Sequence, residues 1–181
     1  RSSLSAILFA FLLLSLPSSY GDSSPPNIIL LYADDLGYTD LSCQGSDYYQ
    51  TPNIDRLAKE GMTFTNAYAA AANCAPSRAS LMTGLYTPRH VVFTVANSDR
   101  GKAAHRRLVP TTNKTVLTRS LPTMAQVLKK AGYQTAVAGK WHLSDDPIPY
   151  GFDANFGGLK WGAPRSYFSP YRNPKLKDGP K

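Results

Sequence analysis

The sequence predicts an α/β fold built on a right-handed sheet of buried strands, and three observations point to it. Short continuous apolar runs, "NIILLY" at 27–32 and "YQTAVAG" at 133–139, read as strands covered on both faces. Amphipathic helical segments with clear start and stop signals lie between them. Residues able to do chemistry follow directly on the apolar runs, and sites in such sheets lie off the carboxyl ends of the strands.

Taken in order, "NIILLYADD" is a strand that ends on Asp34 and Asp35. "TPNIDRLAKEG" is a helix with Thr51 as N-cap, Pro52 at its first position and Gly61 as terminator; Ile54, Leu57 and Ala58 share one side. "MTFTNAY" is a candidate strand. "PSRASLMTG" opens with Pro76 and closes on Gly84, so a second helix is expected to begin just after Cys74. In "SLPTMAQVLKKAG", Leu121, Met124, Leu128 and Ala131 line one face, Lys129 and Lys130 sit near the negative end, and Gly132 stops the helix. "YQTAVAGKWH" supplies another buried strand, and from Leu143 onward Pro, Gly, Tyr and Asn read as loop.

Composition narrows the class. Of the 181 residues 43% are apolar and 18% charged, enough for a packed core. Residues 1–21 read as a secretory signal: Leu4 to Leu16 form an apolar run too short for a comfortable membrane span, and Ser19 and Gly21 suit cleavage ahead of Asp22. No stable membrane insertion is expected. The chain lacks an initiator Met and stops within a loop-like stretch, so it is expected to be part of something longer. The formal charge of +8 suits acidic partners, but an exported chain with scattered basic residues and no recognition helix is a poor nucleic-acid binder. "NKT" makes Asn113 a glycosylation sequon.

The candidate chemistry lies in three places, each with an ordinary alternative. Asp34 and Asp35 are hard oxygen donors suited to Ca²⁺ or Mg²⁺, or else a solvated turn. Cys74 stands at a helix start beside Ser77 and Arg78, where an anion could sit; with Cys43 it could equally form a disulfide. Lys140 and His142, two apart on an extended backbone, would point the same way and grip one anion, or cap a strand and fill a gap. His90 is a weaker candidate. There is no phosphate loop, nucleophile elbow or zinc-spaced cysteine pair.

Taken together, "ADDLGYTDLSCQG", "TPNIDRLAKEGMTFTNAY", "CAPSRASLMTGLYTPRH", "LPTMAQVLKKAGYQTAVAGKWHL" and "YGFDANFGG" resemble the N-terminal half of sulfatases, of the alkaline phosphatase-like superfamily, over about residues 27–170. The resemblance implies a mixed, mostly parallel sheet flanked by helices, incomplete in this chain, with residues 22–181 forming the N-terminal part of the catalytic domain. It implies that Cys74 of "CAPSR" is oxidised to formylglycine by a formylglycine-generating enzyme. The hydrated aldehyde then attacks sulfur through one hydroxyl and expels sulfate through the other.

By the same resemblance Asp34, Asp35 and the modified Cys74 would ligate Ca²⁺, with Mg²⁺ the lesser candidate. Arg78 would hold the hydrate, Lys140 would bind sulfate, and His142 would orient or deprotonate the hydrate and contact substrate. The remaining metal ligands and a second His and Lys are not found in these residues, so the chain alone is expected to be inactive. After "GKWHL" the family usually continues with Gly, and this chain has Ser144. The implied activity is hydrolysis of a sulfated small molecule or polysaccharide in the secretory pathway, with the protein secreted or lysosomal, or periplasmic if bacterial. The rivals are a phosphoester or phosphonate hydrolase of the same superfamily, and a non-catalytic binder of sulfated glycans using Arg89, Arg100, Lys102, Arg106 and Arg107.

Overall fold

The computed structural model describes residues 24–179, so the expected signal segment lies outside the described residues. Two units divide at residue 33. In the first, Ile28, Ile29, Leu30 and Leu31 are exposed, and the expected strand makes no ladder among the described residues. A parallel strand takes its backbone bonds from neighbouring strands, and residues 27–32 are not assigned to a strand ladder.

Within residues 34–179 the order is helix α1 (Pro52–Glu60), α2 (Cys74–Thr83), the single turn α3 (Thr87–His90), α4 (Met124–Lys130), strand β1 (Ala136–Ala138) and strand β2 (Ala154–Phe156). The two strands pair in parallel, with Ala136 opposite Ala154 and Ala138 opposite Phe156. A parallel pair with helices before it is the α/β arrangement the apolar runs predict, although the sheet here has two short strands. "MTFTNAY" forms no strand; Met62, Phe64 and Tyr68 are exposed. β2 leaves no signal in the sequence because it is only three residues long and lies in a Gly- and Asn-rich stretch whose composition reads as loop.

The three expected helices form for identifiable reasons. α1 has Pro52 in its first turn and ends at Gly61, whose N–H donates to Leu57 O at 2.9 Å. Thr51 does not cap it through a backbone amide. Its hydroxyl donates to Asp55 Oδ1 at 2.8 Å and accepts from Ser42 N at 2.9 Å, tying the preceding turn to the helix. α2 starts at Cys74 itself, one residue earlier than expected, and Gly84 closes it in the left-handed region at φ 67°. α4 carries a full capping box: Thr123 Oγ1 accepts from Gln126 N at 3.2 Å while Gln126 Oε1 accepts from Thr123 N at 3.0 Å.

The core gathers Ala75 and Ala79 of α2, Ala125 of α4, and Val92, Leu117, Trp141, Leu143, Tyr150 and Phe152 from connecting segments. Trp141 lies between Tyr150 and Phe152, with ring centroids 5.5 and 5.7 Å away. Two polar groups carried into this core are paired: Tyr150 donates to Leu117 O at 2.7 Å, and Thr123 Oγ1 donates to Tyr150 O at 2.5 Å. At Gly151, φ is +105°, and a Cβ there would lie 2.6 Å from Gln126 N, so only glycine lets this turn press against the start of α4. Asp153 fastens the other end of α4 to β1. The Lys129 ammonium at 2.5 Å and the Thr135 amide at 2.9 Å hold its carboxyl at about 2.

Candidate active site

α2 presents Cys74 at its first position and Arg78 one turn later, so the two side chains share a face of the helix. The following residues, Ala75, Pro76, Ser77, Ala79 and Ser80, are buried, which fixes the helix against the core and leaves Cys74 half-buried. Both cysteines are free thiols and Cys43 is exposed, so the disulfide alternative is not formed.

Arg78 reaches across to the segment after β1, where its Nη1 donates to Lys140 O at 2.5 Å. Its Nη2 lies 3.7 Å from Asp34 Oδ1, and Lys140 Nζ forms an ion pair with Asp34 Oδ2. Three of the expected residues therefore meet directly, with side-chain exposures of 11% for Arg78, 16% for Lys140 and 32% for Asp34. Partial burial works against ionisation of Asp34. The Lys140 hydrogen bond and the charges of Lys140, Arg78 and His142 outweigh it and hold the carboxyl below the usual carboxylate value.

His142 shares this field, because burial and then the Lys140 and Arg78 charges lower its imidazole below the ordinary value, with Asp34 pulling the other way. Its Nδ1 is buried without a hydrogen-bond partner among the described residues. The expected reason for the Lys140–His142 alignment is corrected. The strand stops at Ala138, Gly139 has φ 90° and His142 has φ 64°, so the pair is aimed by two left-handed residues and not by strand alternation. Asp35 is a third left-handed position, at φ 56°. Left-handed non-glycine residues are uncommon, and two of them fall in this cluster.

The residues beside the cluster explain how it is held. Trp141, between Lys140 and His142, is buried, and its Nε1 donates to Ser144 Oγ at 2.7 Å; Ser144 Oγ in turn donates to Asp146 O at 2.8 Å. Ser144, the position where the resemblance leads to an expectation of Gly, is a brace. The His142 amide donates to Leu159 O at 2.8 Å, which lays the segment after β2 along the site.

The loop between α3 and α4 is braced from within. Asn113 Oδ1 accepts from Phe93 N at 2.6 Å and Thr94 N at 3.2 Å, and Nδ2 donates to Thr94 O at 3.1 Å and Ala96 O at 2.5 Å. Arg106 donates to the carbonyls of Asp99, Arg100 and Gly101, and Arg100 donates to Val95 O. Two of the five cations offered for glycan binding thus serve the loop's own backbone; Arg89, Lys102 and Arg107 are exposed. Thr94 Oγ1 accepts from Asn73, the residue before Cys74, at 3.3 Å. His90 is buried, with Nε2 2.9 Å from Ser80 Oγ and Nδ1 accepting from Val92 N at 3.1 Å. It locks α3 to α2 and does not face the cluster's charges.

A Ca²⁺ ion takes six to eight oxygens. Asp34 and Asp35 fit its chemistry, but among the described residues no group of three His, Cys, Asp or Glu stands ready to hold a metal. The two carboxylates can therefore supply part of a shell, not all of it. No helix among the described residues is long and apolar enough to cross a membrane.

Residues 26–175 match the family model described as Sulfatase. Human N-acetylgalactosamine-6-sulfatase is 40% identical over 159 residues, which are 84% of this chain and 28% of that protein. The N-acetylgalactosamine-6-O-sulfatase of Bacteroides thetaiotaomicron is 44% identical over 70% of this chain and 22% of its own length. A protein solved in complex with its substrate, D-glucosamine-2-N,6-O-disulfate, superposes with a TM-score of 0.56 at 37% identity, over 72% of this chain and 22% of that one. The chain thus spans about a quarter of the length of its relatives, and by sequence, structure and the residues gathered around Arg78 it belongs to the sulfatase family.

Proposed function

We propose that this chain is the nucleophile-bearing part of a calcium-assisted sulfatase that hydrolyses sulfate esters of saccharides, with Cys74 converted to formylglycine. The observation that carries the reading is the junction of Arg78, Lys140 and Asp34 next to the first turn of α2. Two neighbouring cations, Arg78 and Lys140, beside a helix N-terminus favour a tetrahedral oxyanion. The sulfatase relatives, which include enzymes named for N-acetylgalactosamine 6-sulfate, supply the substrate class.

Formylglycine, an aldehyde that hydrates to two hydroxyls on one carbon, would supply a nucleophile for sulfur and a second hydroxyl whose deprotonation expels sulfate. Asp34, Asp35 and the oxygen of the converted residue 74 would hold the Ca²⁺, a Lewis acid for a sulfate oxygen. The chain's own groups do the rest. Arg78 lies on the same helix face as residue 74 and orients its hydroxyls. The Lys140 ammonium, paired with Asp34 in the absence of substrate, turns to the sulfate oxygens when substrate enters. His142 offers its buried, unpartnered Nδ1 side toward hydroxyl protons in the same field. Asn113, with both amide hydrogens and its oxygen engaged, braces the loop next to Asn73, and the sequon stays without a glycan. The expected signal segment would deliver the protein to a formylglycine-generating enzyme in the secretory pathway or a periplasm.

The test uses the full-length protein from a host able to form formylglycine, assayed on a sulfated saccharide and on the matching phosphate ester. Sulfate release that disappears in Cys74→Ala supports the reading. Turnover of the phosphate ester alone favours the superfamily's phosphoester chemistry. Glycan binding with no turnover of either ester would overturn catalysis.

A further inference from the structure

Beyond the groups that face sulfate, the segment from Leu159 to Arg165 forms a wall against His142. Its base is tightly held. Asn155 Nδ2 donates to Gly158 O at 2.9 Å and Gly158 N donates back to Asn155 Oδ1 at 2.7 Å, closing the turn after β2. Asn173 Nδ2 donates to Gly157 O at 3.0 Å, and the His142 amide bonds Leu159 O. At Gly162 the wall touches the imidazole itself: a Cβ placed there would lie 2.9 Å from His142 Cε1 and 3.1 Å from Nε2.

The residue before that contact is Trp161, half-buried, and the exposed Arg165 guanidinium lies 4.7 Å from its ring centroid. Consecutive Cα atoms are about 3.8 Å apart, so the indole begins one residue from the imidazole contact. The wall has a second cation, Lys160, which is paired with Asp145 at 2.9 Å. Arg165 has no carboxylate partner among the described residues. Held over the indole, the guanidinium is restrained by the ring and keeps N–H donors for another partner. A planar fork of this kind, restrained and uncompensated, recognises an oxyanion in two-point fashion.

Resting on the sulfatase reading, we propose that Arg165 is a specificity-determining residue that binds a second anionic group of the substrate, a carboxylate or a further sulfate, on the side of the cleaved ester that faces His142. Trp161 is its positioning residue. The substrate class is then a saccharide bearing at least two negative groups, and a sugar with a single sulfate is the poorer substrate.

The experiment uses the full-length enzyme and three probes: a 6-sulfated hexosamine, the same sugar linked to a uronate, and the same sugar carrying a second sulfate. For wild type, kcat/KM is expected to favour at least one of the dianionic probes over the monosulfated one. Arg165→Ala should reduce that preference about tenfold or more, chiefly through KM, the scale of one charge-assisted hydrogen bond. Trp161→Ala should reduce the same ratio, and the double variant should lose no more than Arg165→Ala alone. Arg165→Lys should recover only part. Which dianionic probe suffers identifies whether a carboxylate or a sulfate is bound.

Equal losses on all three probes, or an unchanged preference, would overturn the assignment. If wild type turns over none of them, the sulfatase reading fails and calorimetric binding decides the subsite separately. Weaker binding of a dianionic probe by Arg165→Ala upholds the anion site, and equal binding removes it.

Discussion

Ser144 makes the sharpest mechanical prediction. In Ser144→Ala the Trp141 indole N–H loses its acceptor at 2.7 Å, and Asp146 O loses a donor at 2.8 Å. Trp141 is 3% exposed and Ser144 7%, so water has little access to replace either bond. A buried donor left without a partner costs about 1–3 kcal/mol. Because Trp141 stands between Lys140 and His142, activity should fall along with stability. The assay is a double-mutant cycle by urea unfolding on the full-length protein, with Ser144→Ala, Trp141→Phe and the pair. Phenylalanine has no N–H to orphan, so Ser144→Ala should cost roughly 1 kcal/mol or more less in that background. An equal cost in both backgrounds would show that Ser144 does not act through the indole, and the brace would have to be abandoned.

Other expectations follow from neighbouring contacts. Gly151→Ala should destabilise by several kcal/mol, about 1–3 for the left-handed backbone and about 1–3 for forcing a Cβ onto Gln126, read as a lowered urea midpoint. His90 must stay neutral to accept from Val92 N, and burial lowers its pKa from the ordinary 6.5. The unfolded chain therefore takes up the proton first, so the His90 contribution is complete above pH 6.5 and is lost as pH falls below it. His90→Gln should flatten that part of the stability profile, and an unchanged profile would count against it. The peptide containing Asn113, from protein secreted by a glycosylating host, should have its unmodified mass. Asn113→Ala should speed proteolysis between residues 93 and 112, and a glycan found there would rule out the brace.

The parts of the fold most legible in the sequence were those with local chemical signals. Thr51–Pro52, Gly61, Gly84 and Gly132 are local signals of helix ends, and those helices form close to where expected, whereas the Thr123–Gln126 capping box that starts the last of them was not read from the sequence. Strands were less legible because they take their stability from partners far along the chain. "NIILLY" has the composition of a strand and no ladder among the described residues, while "ANF" has little strand character and pairs with "AVA". At the site, Asp34, Arg78, Lys140 and His142 were identified from motifs, and the structure gathers them. Their braces were not legible. Ser144 stood out only as a departure, and Gly162 gave no signal, since contact with an imidazole twenty residues earlier has no trace in local composition.

The central claim concerns what residue 74 becomes, and mass spectrometry of the peptide carrying it, from full-length protein made in a modification-competent host, tests that directly. The account predicts an aldehyde or its hydrate at position 74, with oxygen in place of sulfur and two hydrogens fewer than the thiol once dehydrated. An intact cysteine in catalytically active protein would contradict it.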